Sequence, residues 1–374
     1  MSYDPDARRD TPLARKLIAR IQRDGPLTIR QYMDSCLQDA EHGYYRTREA
    51  IGRTGDFVTA PEISQIFGEL IGLWCAVVWQ QMGTPSKVNL IELGPGRGSL
   101  MRDALRALRL VPEFASAVSV HLIESSETLR AVQAEALGTA DVSINWHAQF
   151  EDVPDGPSIL LANEFLDALA VDQWVATQAV WGARSITVDD TEKLQFSENA
   201  LANGGGFNIP AYAADAPVGS ILTMPDFSEL ASQLGSRGAD APLAALLIDY
   251  GHETSQIGDS LQAVREHRHE HPLTSPGEAD LTTQVDFEAF RTQILMSGPN
   301  DGTPGLAVDG PITQAEFLGA LGIVQRASRL MAANPLQAGS IELGVARLLA
   351  PQGMGTRFKA VGVRSRGLPA LPGF

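Results

Sequence analysis

The sequence predicts an α/β fold: a mostly parallel sheet with helices on both faces, preceded by a helical region and interrupted by an antiparallel insertion. Three observations carry this expectation. From Val88 onward, apolar runs of strand length alternate with stretches of helical period, as in sheets built from strand–helix repeats. A glycine-rich turn, Gly94-Pro95-Gly96-Arg97-Gly98, stands directly between the first such strand and the first such helix. The first 85 residues show helical periodicity punctuated by start and stop signals.

Taken in order, Thr11-Pro12 offers an N-cap and a proline at the first helical position, and Leu13, Leu17, Ile18 and Ile21 fall on one face. Gly25-Pro26 ends that helix. Thr28-x-x-Gln31 is a capping box opening a second helix, with Tyr32, Met33, Cys36 and Leu37 as its apolar side. A loop rich in Gly, Arg and aromatic residues runs from His42 to Thr59. Thr59-Ala60-Pro61-Glu62 reads as another capping box, opening a long helix that carries Ile63, Ile66, Phe67, Leu70, Ile71 and Trp74 and stops at Gly83-Thr84-Pro85. Strands are expected at Val88 to Leu93, Val118 to Ile123, Val142 to Trp146 and Ile159 to Ala162, with helices at Ser99 to Leu110 and Ser126 to Leu137. After Asp167 the alternation breaks. Residues 171–196 read as short antiparallel strands and 197–240 as loop. The sheet resumes with Leu243 to Tyr250 and ends with Arg357 to Val363. The expected organisation is a helical region at 1–85 covering the site, a core at 86–170 and 241–374, and an insertion at 171–240 walling a substrate groove.

Composition narrows the function. Lys plus Arg number 29 against 45 Asp plus Glu, a formal charge of −16. That excludes the basic footprint of a nucleic-acid binder and suits a cationic substrate. Cys36 and Cys75 make no disulfide framework and read as buried thiols in a reducing compartment. The longest apolar run, Leu70 to Trp79, falls far short of the ~20 residues a membrane span needs. The start, MSYDPDARRD, has no apolar segment of a signal peptide. The expectation is a bacterial cytoplasmic protein without membrane insertion; nothing in the sequence sets its oligomeric state. His267, His269 and His271 alternate, which does not put three imidazoles on one helical face, so no metal is expected.

The ligand of the glycine turn follows from its flanks. A dinucleotide fingerprint is G-x-G-x-x-G, but here the third glycine comes one residue early and Ser99 takes its place. Glu92, two residues before Gly94, would repel a diphosphate and attract an ammonium group. The pattern E-x-G-x-G-x-G resembles the first motif of the class I S-adenosylmethionine (SAM) methyltransferases, whose glycine loop packs under the amino-acid part of the cofactor. Glu124, ending the second strand, would accept hydrogen bonds from ribose hydroxyls; an NAD site would want the same residue, so it supports a ribose without choosing the cofactor. The resemblance implies cofactor contacts from Glu92, Gly94, Pro95, Gly96, Gly98, Glu124, Ser125 and Asn163, with Gln149 and Phe150 at the adenine.

A narrower resemblance rests on longer motifs. Gly55-Asp56-Phe57-Val58-Thr59-Ala60-Pro61-Glu62-Ile63-Ser64 is similar to the signature of the MidA-like methyltransferases, relatives of the mitochondrial complex I assembly-factor arginine methyltransferase. Gly43-Tyr44-Tyr45, Asn163-Glu164-Phe165-Leu166-Asp167-Ala168-Leu169, Ile248-Asp249-Tyr250-Gly251, Asp280-Leu281-Thr282 and Thr313-Gln314-Ala315-Glu316-Phe317-Leu318 add to it, spreading the likeness over most of the chain. It implies a Rossmann-like class I core, SAM as methyl donor with S-adenosylhomocysteine as product, and methylation, including symmetric dimethylation, of an arginine on a respiratory complex I-type subunit.

An arginine nucleophile is charged and delocalised, so a carboxylate must align it. By resemblance Glu164 stands at the carboxyl edge of the fourth strand to do so, with Asp167 or Asp56 assisting; His252, after the resumed strand, is the candidate to take a proton. Related arginine methyltransferases carry a second glutamate in that loop, where this chain has Asp167. Asp56, Phe57, Thr59, Glu62 and Tyr250 are the expected substrate-side residues. Three alternatives stay open: a methyltransferase for a small molecule or another residue, a SAM-binding assembly chaperone, and an NAD-linked oxidoreductase.

Overall fold

The computed structural model describes residues 3–47, 58–178, 180–198, 209–298 and 305–374. The chain forms two compact units that interleave in sequence. One comprises Val58–Leu166, Phe227–Glu253 and Phe287–Phe374; the other comprises Met1–Phe57, Asp167–Asp226 and Thr254–Asp286.

The first unit holds the parallel sheet. Its strands are β1 (Val88–Leu93), β2 (Val118–Ile123), β3 (Ser143–His147), β4 (Ser158–Asn163), β5 (Leu243–His252), β6 (Leu306–Thr313) and β7 (Phe358–Ser365). They lie in the order β3-β2-β1-β4-β5-β7-β6. Neighbours from β3 through β5 are parallel, whereas β7 runs antiparallel to both β5 and β6. Burial explains why these strands read as unbroken apolar runs. Leu90, Val120, Ile159 and Leu246 are buried on one face, and their neighbours Ile91, Leu160, Ala245 and Leu247 are buried as well. A sheet covered on both sides needs apolar residues at every position.

The order reverses between β1 and β4, and open α/β sheets bind ligands outside the carboxyl ends of strands at such a switch point. Register brings the ends level: Leu93 sits opposite both Ile123 and Ala162, and Asn163 sits opposite Ile248. The turns after β1, β2, β4 and β5 therefore share one edge.

The long helix expected from Thr59 is broken. Ala60–Ile63 forms one turn, Ser64 is extended at φ −153°, and Gln65–Gln81 follows with the Ser64 hydroxyl accepting the Ile66 N–H at 3.3 Å. Thr59 makes no side-chain cap, and Glu62 instead accepts a short hydrogen bond from the Ser99 hydroxyl. Gly72 lets this helix press on Ser99–Leu108: a Cβ there would lie 2.5 Å from the Ala104 carbonyl oxygen. The compact unit thus takes in the Gln65–Gln81 helix, which the sequence reading gave to the amino-terminal region, and leaves out Thr254–Asp286, which it gave to the core.

The stretch read as loop from 197 to 240 contains the strand Ile221–Pro225 and the helix Ser228–Asp240. Leu230, Ala231 and Leu234 bury one side of that helix, a periodicity hidden behind the Gly, Ala and Pro residues upstream.

In the second unit, Pro12–Asp24 starts at Thr11, whose hydroxyl accepts the Ala14 N–H at 3.0 Å, and ends at Gly25 with φ 93°. Ile29–Gln38 opens with the Thr28–Gln31 capping box. These helices pack through Leu13, Leu17, Tyr32 and Cys36 against residues of three small antiparallel sheets. Burial pushes the Cys36 thiol up to about 12 and raises that of Cys75 in the other unit as well, so both are inert at neutral pH. His267 and His269 are exposed. Among the described residues no three His, Cys, Asp or Glu side chains cluster to hold a metal, and no helix is long and apolar enough to cross a membrane.

Candidate active site

The turn after β1 is held open by its glycines. Gly94, Gly96 and Gly98 have φ of 60°, 53° and 77°, a region other residues enter at a cost. The Gly98 N–H closes on the Pro95 carbonyl at 2.8 Å, and the helix Ser99–Leu108 begins there. A Cβ on Gly94 would approach the Phe165 ring at 3.1 Å, so a side chain would fill the space between the β1 and β4 turns.

Glu92 lies beneath this turn and is 3% exposed. Its Oε2 has no hydrogen-bond partner among the described residues. Burial raises its pKa to about 8. A buried carboxyl without a partner is costly, and an ammonium ion reaching the turn would relieve that cost. The residues therefore fit the amino-acid end of SAM, whose ammonium would favour the charged form of Glu92, a compensation that a diphosphate could not supply.

Glu124 ends β2 with one oxygen accepting the Ser126 N–H at 2.7 Å and the other accepting Gln133 Nε2 at 3.3 Å. Burial raises its pKa against the pull of these hydrogen bonds. Ser125 is half-buried beside it. Gln133 was not anticipated from sequence. It is fully buried, donates to the Gly96 carbonyl at 2.8 Å, and accepts from Trp146 Nε1 at 2.9 Å. Its signal was available: Leu129, Gln133 and Leu137 form the buried stripe of their helix, so an amide stands where an apolar residue is expected. Beyond β3, Gln149 is exposed and Phe150 is buried, with the Arg237 guanidinium 5.2 Å over its ring centroid.

After β4, Glu164 adopts φ 53°, a left-handed conformation outside glycine that concentrates at functional sites. Its Oε1 accepts Asn163 Nδ2 at 3.1 Å and the Ala60 N–H at 3.4 Å, and its own N–H donates to the Ile248 carbonyl at 2.9 Å. The Asn163 Oδ1 is buried without a hydrogen-bond partner among the described residues. Asp249, also not anticipated, is 1% exposed in the carboxyl-terminal half of β5. Its Oδ2 accepts the N–H groups of Phe165 and Leu166 at 3.0 and 2.8 Å, and its Oδ1 accepts that of Tyr250 at 2.8 Å. Tyr250 packs edge-on against Phe358, and His252 is half-buried at the end of the strand.

The structure thus brings Glu92, Gly94, Pro95, Gly96, Gly98, Glu124, Asn163, Glu164, Tyr250 and His252 to the carboxyl edge of one sheet. Thr59 and Glu62 belong to the same unit, with Glu62 tied to the start of the Ser99–Leu108 helix. Asp167 is buried in the other unit. Asp56 and Phe57 lie outside the described residues.

Comparison with known proteins agrees with this geometry. A family model for S-adenosyl-L-methionine-dependent methyltransferases matches residues 70–298. The NDUFAF7 homolog of Drosophila melanogaster, named a mitochondrial protein arginine methyltransferase, is 34% identical over 376 residues, covering 93% of this chain and 83% of its own. The Rattus norvegicus NDUFAF7 protein, of the same name, is 34% identical over 377 residues with the same coverage. A crystal structure from Burkholderia thailandensis, bound to S-adenosyl-homocysteine, superposes with a TM-score of 0.83 at 24% identity, covering 98% of this chain and 97% of that one. The α/β fold with a mostly parallel sheet and added antiparallel sheets is that of the methyltransferases, as the sequence led one to expect. The chain belongs to the MidA-like family of S-adenosylmethionine-dependent methyltransferases.

Proposed function

We propose that this methyltransferase acts on an arginine side chain of a protein, a subunit of the respiratory complex I type, in the bacterial cytoplasm. The observation that carries this reading is the 34% identity, over 93% of the chain, to proteins named arginine methyltransferases. The site supports it: an oriented carboxylate, Glu164, stands beside the glycine turn at the switch point.

Bound at the turn, SAM supplies an electrophilic methyl carbon on a sulfonium. Glu92 would hold the ammonium of the amino-acid tail, Gly94, Pro95, Gly96 and Gly98 would let the backbone approach it, and Glu124 with Ser125 would hold the ribose. Gln149 and Phe150, beyond β3, would border the adenine, and Asn163, at the end of β4, would stand near the reacting end. Glu164 accepts hydrogen bonds from the substrate guanidinium and draws its positive charge toward the carboxylate, leaving the other terminal nitrogen a better nucleophile. Its carboxylate is already fixed by Asn163 and Ala60, so little orientation is lost on binding. The attacking nitrogen must shed a proton, and His252 is placed at the same sheet edge to accept it. Tyr250, Thr59 and Glu62, in the same unit as Glu164, would border the approach of the peptide. The formal charge of −16 favours an arginine-bearing partner.

Mass spectrometry of cellular proteins with and without the gene tests this reading. A methylarginine lost in its absence, restored by the wild type and not by Glu164→Gln, supports it. A methyl group lost from a small molecule or from a different residue type overturns it.

A further inference from the structure

Gln133 directs both N–H donors of its amide toward two different turns. The Trp146 indole can only donate, so the Gln133 oxygen must face it at 2.9 Å. That fixes the flip of the amide and aims both Nε2 protons the other way, one at the Gly96 carbonyl at 2.8 Å and one at Glu124 Oε2 at 3.3 Å. The backbone around Gly98 closes over the same side chain: a Cβ there would lie 3.6 Å from Gln133 Cα and Cγ. No solvent reaches the amide, which is 0% exposed, so each of these bonds is made in a low-dielectric setting with no water to replace it.

The partners matter more than the number of bonds. Gly96 lies in the turn after β1, and Glu124 lies at the end of β2; helix, strand and loop separate them in sequence. We propose that Gln133 is a cofactor-positioning residue, whose amide ties the turn that seats the amino-acid tail of SAM to the carboxylate that seats its ribose. The inference rests on reading those two elements as the cofactor's seat. Glu124 keeps a second anchor, the Ser126 N–H at 2.7 Å, whereas the Gly96 carbonyl has Gln133 as its side-chain partner. Loss of the amide therefore loosens the glycine turn first, and a ligand spanning both ends suffers more than one that engages the ribose end alone.

Isothermal titration of the full chain with S-adenosylhomocysteine and with adenosine distinguishes this role from ordinary core packing. Gln133→Met keeps the volume and removes the polar bonds. Its S-adenosylhomocysteine dissociation constant should rise about 10- to 100-fold, while that for adenosine rises no more than about threefold. Trp146→Phe removes a single N–H and keeps the fold should Gln133→Met fail to fold. It should weaken S-adenosylhomocysteine about three- to tenfold, with adenosine unchanged, and add nothing to Gln133→Met in the double variant. Equal weakening of both ligands, unchanged S-adenosylhomocysteine binding, or fully additive variants would overturn the proposal. Glu124→Ala separates the premise from the inference. If it binds both ligands like the wild type, the seat itself is misassigned; if it loses both while Gln133→Met loses neither, only the positioning role fails.

Discussion

The Asp249 carboxylate accepts the Leu166 backbone N–H at 2.8 Å, across 83 residues of sequence. With its bond to Phe165, this holds the turn in which Glu164 keeps its left-handed backbone. A strained residue persists only where its surroundings over-determine it. Asp249→Asn replaces one acceptor oxygen with a donor, which faces either the Tyr250 N–H or the Phe165 and Leu166 N–H pair. Methyl transfer should fall about 10-fold or more, with S-adenosylhomocysteine affinity within about threefold of wild type. Full turnover in Asp249→Asn would remove the turn from the account.

Glu92 links the cofactor site to pH. Its folded pKa, raised from 4.5 to about 8, means the ligand-free protein binds a proton that the unfolded chain releases. Glu92 therefore contributes stability in full below pH 4.5, and that contribution is lost as pH rises through about 8. Glu92→Gln should flatten the decline of ligand-free Tm across this window. It should also weaken S-adenosylhomocysteine by about 10- to 100-fold, through loss of a charge-assisted bond to the ammonium. Thermal scans from pH 5 to 8 that are identical for the two proteins would contradict the assignment.

Gly94 carries two constraints at once, a φ of 60° and a ring 3.1 Å from where a Cβ would stand. Gly94→Ala should cost about 1–2 kcal/mol in stability and at least about tenfold in S-adenosylhomocysteine affinity. Urea denaturation and calorimetric titration of the same sample measure both. Wild-type values in each would show that the turn tolerates a side chain.

Gly72 tests the packing independently of the site. A Cβ 2.5 Å from the Ala104 carbonyl oxygen cannot be accommodated without moving one helix, and Gly72→Ala should destabilise by about 1–3 kcal/mol. An unchanged urea midpoint would mean that the two helices are farther apart in solution.

Much of this was legible in the sequence because it is local. β1 and β2 run over the residues their apolar runs mark, Val88–Leu93 and Val118–Ile123, and the Thr28–Gln31 capping box forms as its spacing indicates. The break at Ser64 was hidden because Ile63 and Ile66 continue a helical period straight through it; Ser64 is extended and caps the helix that follows. Glu62 has the spacing of a capping-box acid, yet it reaches Ser99, 37 residues away, a contact that no local pattern encodes. Gln133 and Asp249 were missed for the same reason. Each acts through hydrogen bonds to turns that only sheet pairing brings alongside, β1 with β2 for Gln133 and β4 with β5 for Asp249, although a polar residue in an apolar stripe and an acid in an apolar strand were both visible signs.

Transfer of a labelled methyl group from SAM to proteins of an extract lacking this gene, followed by complete hydrolysis and separation of the methylated amino acids, addresses the proposed activity most directly. Label in methylarginine with the wild type, lost with Glu164→Gln while S-adenosylhomocysteine still binds, is the predicted result. Label confined to another amino acid, or methylarginine formed equally well by Glu164→Gln, would contradict it.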